Sequence, residues 1–165
     1  MQLKNLELFI LKAIVYLFII FSLPYYAGVF LDSYLNIPKI FNYPINLLGL
    51  ILVAAGLAID YHSISTFLKA GKGTPFPWRP PKRLVATGPY RYTRNPIYVA
   101  YAIIMSGLAI FTNLPTVFIV AAVFMIGLHL GVVYWEEPQL EQRFGKSYLE
   151  YKIEVPFRAR IVRAV

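Results

Sequence analysis

Between Leu8 and Leu31 the chain reads LFILKAIVYLFIIFSLPYYAGVFL, 24 residues with Lys12 as the single charge. A helix of that length rises about 36 Å, enough to cross a hydrocarbon core of about 30 Å. Lys12 lies near enough to one end for its ammonium to reach the headgroups while its stem stays in lipid. No small-residue cleavage site follows cleanly, so the segment reads as a span and not a cleaved signal. Three more apolar stretches follow: Tyr43 to Ile59, Ile97 to Phe111 and Leu114 to Tyr134. The third is short, and its partner in a hairpin is the fourth, through Thr112-Asn113-Leu114-Pro115. The expected fold is therefore all-α: an integral membrane bundle of about four transmembrane helices with a cytoplasmic loop and an amphipathic C-terminal helix.

Composition excludes the common alternatives. Hydrophobic residues make up 58% of the 165 and charged ones 15%, and mean hydropathy is +0.58. Soluble domains carry about 45–50% apolar and about 25% charged residues, so the apolar excess must face lipid. The absence of cysteine removes disulfides, thiolate metal sites and a cysteine nucleophile. His62 and His129 are too few for a histidine-rich metal site, and no metal is expected. A net charge of +8 admits nucleic acid as a partner. The cations flank apolar segments instead, which favours membrane lipids and an anionic cosubstrate, with no nucleic acid.

The distribution of cations sets the orientation. Lys69, Lys72, Arg79, Lys82, Arg83, Arg91 and Arg94 lie between the second and third spans, and Arg143, Lys146, Lys152, Arg158, Arg160 and Arg163 follow the fourth. Lys4 precedes the first, and the other side keeps Lys39 alone. By the positive-inside rule both termini and the long loop are cytoplasmic, as an even number of spans requires. The chain reads as one domain over residues 1–165, with an N-terminal two-helix part over 1–68 and a cosubstrate-binding part over 69–165.

Function is then expected where the two basic segments meet. The loop KAGKGTPFPWRPPKRLVATGPYRYTRN runs from Lys69 to Asn95, and its prolines make it stiff and extended. It anchors headgroups, with Trp78 and the tyrosines at the interface, or it builds a site. Gly71-Lys72-Gly73 has no strand before it and is not a phosphate loop. Asn95-Pro96 is a good helix start, with asparagine at the cap and proline in the first turn. Free N–H groups at that terminus, beside Arg94, also suit a carboxylate or phosphate.

Glu136-Glu137 ends the fourth span, as a solvated helix end or as a carboxylate for a cationic group. Pro138 follows and limits helical geometry at Glu137. Beyond it Leu140, Phe144, Tyr148, Tyr151 and Val155 recur on one helical face, with Glu141, Arg143, Lys146, Glu150 and Lys152 mostly off it. Such a helix lies on the membrane or folds back over the loop. His129, eight residues before Glu137, is assigned a structural hydrogen bond to another helix.

These residues carry a resemblance. Gly88-Pro89-Tyr90-Arg91-Tyr92, Arg94-Asn95-Pro96-Ile97-Tyr98, Glu136-Glu137, Leu140, Phe144-Gly145, Tyr148, Tyr151 and Val155-Pro156 occur in the order found in isoprenylcysteine carboxyl methyltransferases. The wider group of membrane phospholipid methyltransferases is similar. The resemblance covers roughly Gly73 to Pro156. It implies a small helical membrane enzyme that holds S-adenosylmethionine between its last helices and its cytoplasmic tail, with a tunnel to the lipid. Arg94, Asn95 and Tyr98 fall on the family's Arg-His-Pro-x-Tyr motif, and Glu137 on the acid seven residues before Phe-Gly. Asn95 stands where histidine is usual, so no imidazole serves there. The eukaryotic enzymes carry an arginine that aligns near Val132.

The expected activity is S-adenosylmethionine-dependent methyl transfer to a lipophilic or lipid-modified acceptor. The cosubstrate-binding residues are Arg94, Asn95, Tyr98, Glu136, Glu137, Tyr92 and Tyr148, and no catalytic residue is assigned. A nicotinamide-dependent membrane reductase related to sterol reductases and a non-catalytic lipid-binding protein are the competing readings.

Overall fold

The computed structural model describes residues 3–76 and 79–155, and the side chains of 3–6 are left aside. The readings placed on Pro77, Trp78, Pro156, Arg158, Arg160 and Arg163 lie outside the described residues. Among the described residues the chain is entirely helical. Helix α1 is Leu3–Leu35, α2 Leu48–Gly71, α3 Pro96–Thr112, α4 Pro115–Gly131, α5 Glu137–Phe144 and α6 Lys146–Glu154. A 3-10 turn, Ile45–Leu47, leads into α2, and another, Gly88–Arg91, closes the long loop.

Three helical stretches are long and apolar enough to cross a membrane: Glu7–Leu35, Ile45–Gly71 and Pro115–Phe144. Pro96–Thr112 is a shorter apolar helix. Their outer faces expose Phe18, Ile51, Ile119 and Val123, each more than 60% accessible. Water would not tolerate such a belt, and lipid does. The protein is a multispanning membrane helical bundle.

The second span does not stop at Ile59. It continues through Asp60 and His62 to Gly71, so the loop begins at Lys72. The 27 residues from Ile45 to Gly71 rise about 40 Å, more than the hydrocarbon core of about 30 Å requires.

Helix order in space differs from chain order. Helix α1 packs on α4, α4 on α3, and α3 most extensively on α2. Lipid tails are as apolar as the side chains, so association depends on close backbone approach and not on hydrophobicity. Small buried residues recur every seventh position on α2: Gly49, Gly56 and Ser63. The two glycines face α3: Gly49 meets Gly107, and Gly56 meets Ala100 and Ile104. At the end of the bundle away from the long loop, Asn113 adopts the left-handed conformation open to asparagine, φ 56°. Its Oδ1 accepts the backbone N–H of Ile40 and of Phe41, both at 2.8 Å, and this fixes the α1–α2 connection to the α3–α4 hairpin.

The tail is not one helix. Helix α4 passes through a π turn, Val132–Glu136, into α5. Pro138 lacks an N–H and its ring crowds the carbonyl four residues back; the wider turn relieves both. Glu137 thus keeps helical backbone angles, φ −59° and ψ −43°, despite the proline after it. It stands inside the continuous helical run Pro115–Phe144, seven residues before its end, and not at a helix terminus. Gly145, at φ 54°, then breaks the chain and α6 folds back. The expected apolar face survives the break: Tyr148, Tyr151 and Val155 form a buried cluster with Leu140, Phe144 and the loop's Leu84.

Close packing of α2 on α3 generates a prediction. A Cβ at Gly56 would lie 2.6 Å from Ile104 Cγ1, whereas one at Gly127 on α4 meets nothing within 4 Å. Gly56→Leu should cost about 1–3 kcal/mol through overpacking and lower the melting temperature of detergent-purified protein, while Gly127→Leu leaves it nearly unchanged. Equal melting temperatures for the two variants would contradict this packing.

Candidate functional site

The basic loop, the start of α3 and the tail converge at one end of the bundle. The loop is held from below by Gly71, whose carbonyl accepts Lys82 N–H at 2.8 Å and Arg83 N–H at 3.2 Å. Within it Thr74 N–H donates to the Arg79 carbonyl at 2.8 Å. Phe76 packs edge-on against Phe9 and Tyr16 of α1, with ring centroids 6.0 and 5.7 Å apart. The tail closes over it: Arg143 Nη1 donates to the Pro81 carbonyl at 3.0 Å, and the Tyr151 hydroxyl to the Tyr90 carbonyl at 2.8 Å. Of the two expected placements for the tail, the structure takes the fold over the loop.

At the centre is Glu137, 3% exposed. Its Oε1 lies 2.8 Å from Arg94 Nη1, and its Oε2 lies 2.8 Å from Lys152 Nζ. Lys152 also donates to Glu141 Oε1 at 2.8 Å. A carboxylate out of water is costly unless paired, and here both oxygens have a cation. The hydrogen bonds to Glu137 and then Glu141 hold the Lys152 ammonium above the ordinary lysine pKa. Its charge, and the stability it contributes, persist until strongly alkaline pH.

The structure brings Arg94, Glu137 and Tyr148 together. Tyr148 is 2% exposed, and its ring centroid is 6.1 Å from that of Tyr151. Burial, with the Glu137 carboxylate second, pushes its phenol well above the usual range. Glu136 parts from its neighbour: Glu137 is buried and Glu136 is exposed. Tyr92, 52% exposed, ends the 3-10 turn at the loop's edge and has no place in the ion cluster.

Asn95 occupies the cap position of α3 with Pro96 behind it, yet its side chain makes no cap hydrogen bond. Tyr98 follows it within the first turn of the helix. Both line an open-sided groove of about 440 Å³, together with Leu52, Val99, Ala102, Ile103, Ser106 and Met125. From Asn95 to Ser106 the groove follows α3 for about 16 Å. Its mouth is polar and its length apolar.

Lys152 and Glu141 belong to the cluster and were not among the expected site residues. In an unbroken helix Lys152 would stand about 22 Å along the axis from Glu137. The only sequence signal for their meeting is Gly145, read as part of a motif and not as a break.

The cluster of Arg94, Lys152, Glu137 and Glu141 sets two cations against two acids. Such a site offers an anion a guanidinium beside the free N–H groups of α3, and offers a cation two carboxylates. Comparison with curated protein sequences gives no match. Residues 44–147 match the family model described as phospholipid methyltransferase, a stretch that holds Arg94, Asn95, Tyr98, Glu136, Glu137 and Glu141 and ends just before Tyr148 and Lys152.

Proposed function

The chain belongs to the phospholipid methyltransferase family, and from that premise we propose that it transfers a methyl group from S-adenosylmethionine to a lipophilic acceptor that enters from the bilayer. The observation that carries this reading is the buried Arg94–Glu137 ion pair (2.8 Å), with Arg94 next in the chain to Asn95 at one end of an apolar groove along α3. A methyl donor of this class presents a carboxylate, an ammonium and a sulfonium. Arg94 and the start of α3 suit the carboxylate, and Glu137, with Glu136 beside it, suits the cationic groups. Asn95 and Tyr98 stand between that cluster and the groove, where donor and acceptor would meet. Tyr148 walls the site on the tail side, and residues 69–165 supply all these groups.

The donor supplies an already activated methyl carbon. Transfer is an in-line displacement in which the acceptor's lone pair forms the new bond as the carbon–sulfur pair returns to sulfur. The protein's task is alignment and exclusion of water, effects worth about 7–11 kcal/mol in favourable cases. A groove lined by Leu52, Val99, Ala102, Ile103 and Met125 fits one hydrocarbon chain, as in an isoprenylcysteine-like or acyl-lipid acceptor. Each methylene buried there contributes about 0.8 kcal/mol.

Two outcomes are expected. Glu137→Gln keeps shape and removes charge, so calorimetric affinity for S-adenosylhomocysteine should fall about 10- to 150-fold, the equivalent of a charge-assisted hydrogen bond. Unchanged affinity in a folded variant would remove the acid from the donor site.

The second concerns orientation, which we assign with the loop and tail cytoplasmic on the count of cations. Lys72 and Lys146 are both exposed. Cysteines placed at either position in the cysteine-free chain should react with an impermeant maleimide only after cells are permeabilised. Labelling of intact cells would reverse the assignment.

A further inference from the structure

We propose that Lys152 is an internal competitor for the donor's ammonium: it occupies Glu137 and latches α6 over the site, and donor binding moves it onto Glu141. The inference rests on the reading of Glu137 as the acid that receives that ammonium. Both Glu137 oxygens are engaged, Oε1 by Arg94 and Oε2 by Lys152, each at 2.8 Å. A carboxylate oxygen can accept two hydrogen bonds, but Glu137 is 3% exposed and little of either oxygen stays open, so an incoming ammonium reaches it by taking the place of one of the two cations.

Lys152 is the one equipped to leave. The Arg94 side chain is 14% exposed and that of Lys152 37%. Arg94 precedes α3 directly, and its planar fork is oriented as a unit; a lysine ammonium is a point charge on a flexible stem. Lys152 already holds a second acceptor, Glu141 Oε1 at 2.8 Å, itself 36% exposed. Moving away from Glu137 costs it one contact of two. Exchange of one ammonium for another also keeps Glu137 neutralised throughout, so no buried charge is uncovered on the way.

The exchange links the donor to the tail. Lys152 follows Tyr151, whose hydroxyl holds the Tyr90 carbonyl at 2.8 Å, and α6 packs on Leu84 of the loop. Donor arrival thus weakens one of the contacts that hold α6 over the loop, while the apolar cluster keeps the helix in place.

The test is calorimetric binding to the detergent-purified full chain, with S-adenosylhomocysteine and its analogue lacking the α-amino group as probes. Lys152→Gln should bind S-adenosylhomocysteine about two- to fivefold more tightly than wild type, the size of a partly exposed ion pair. The same substitution should give the deaminated analogue no gain, a result that a merely structural lysine would not produce. Glu141→Gln removes the retreat for Lys152 and should weaken S-adenosylhomocysteine about twofold or more; it carries the test alone if Lys152→Gln does not fold. Lys146→Gln, in an exposed pair with Glu150 at 3.7 Å, is the control. Weaker or unchanged binding by Lys152→Gln, or an equal gain for both probes, overturns the competitor, as does unchanged or tighter binding by Glu141→Gln. If Glu137→Gln itself leaves binding intact, the donor reading falls first. If Glu137→Gln weakens binding while Lys152→Gln fails to tighten it, only the role of Lys152 falls.

Discussion

A carboxylate buried to 3% exposure near the edge of a bilayer cannot stand alone. Its desolvation costs several kcal/mol, and single removal of a partner typically costs about 3–5 kcal/mol. Glu137 meets that constraint with cations from two distant parts of the chain: Arg94 at the threshold of α3 and Lys152 on α6. The need to pair one acid therefore joins the third helix, the π turn and the tail. The loop follows, because Arg143 and Tyr151 hold its carbonyls at Pro81 and Tyr90.

Beneath that knot the bundle is built by lipid's rules. Apolar helices gain little from burying one another, and α2 and α3 associate through glycines seven residues apart, Gly49 and Gly56. This close contact fixes where α3 begins, and so where Arg94, Asn95 and Tyr98 stand. The groove along α3 is left open on its side, as the proposed hydrocarbon acceptor requires.

Much of this was legible in the sequence for physical reasons. Long uncharged runs need no periodicity to be read as spans, and α3 begins at Pro96 because asparagine–proline is a helix start in any environment. Arg94 and Glu137 stood out because a charge beside an apolar segment needs an explanation. Local signals failed where a backbone choice reset the geometry. The apolar run of the second span ends at Ile59, just ahead of Asp60 and His62, whereas α2 continues to Gly71. The spacing of Leu140, Phe144, Tyr148, Tyr151 and Val155 fitted one helix, and Gly145 at φ 54° broke it without disturbing the buried face. Lys152 and Glu141 were lost with that break, since their partnership exists only once α6 turns back. Asn95 does occupy the cap position, but it makes no cap hydrogen bond and lines the groove with Tyr98 instead.

The central claim is that the ion cluster and the groove together move a methyl group into lipid. The most direct measurement supplies S-adenosylmethionine with a radiolabelled methyl to the purified protein in vesicles made from a total membrane lipid extract, and then separates organic from aqueous phases. The account predicts label that accumulates in the organic phase with time, and far less when the protein carries Glu137→Gln. Folded wild-type protein that binds S-adenosylhomocysteine and yet leaves all label in water would contradict it.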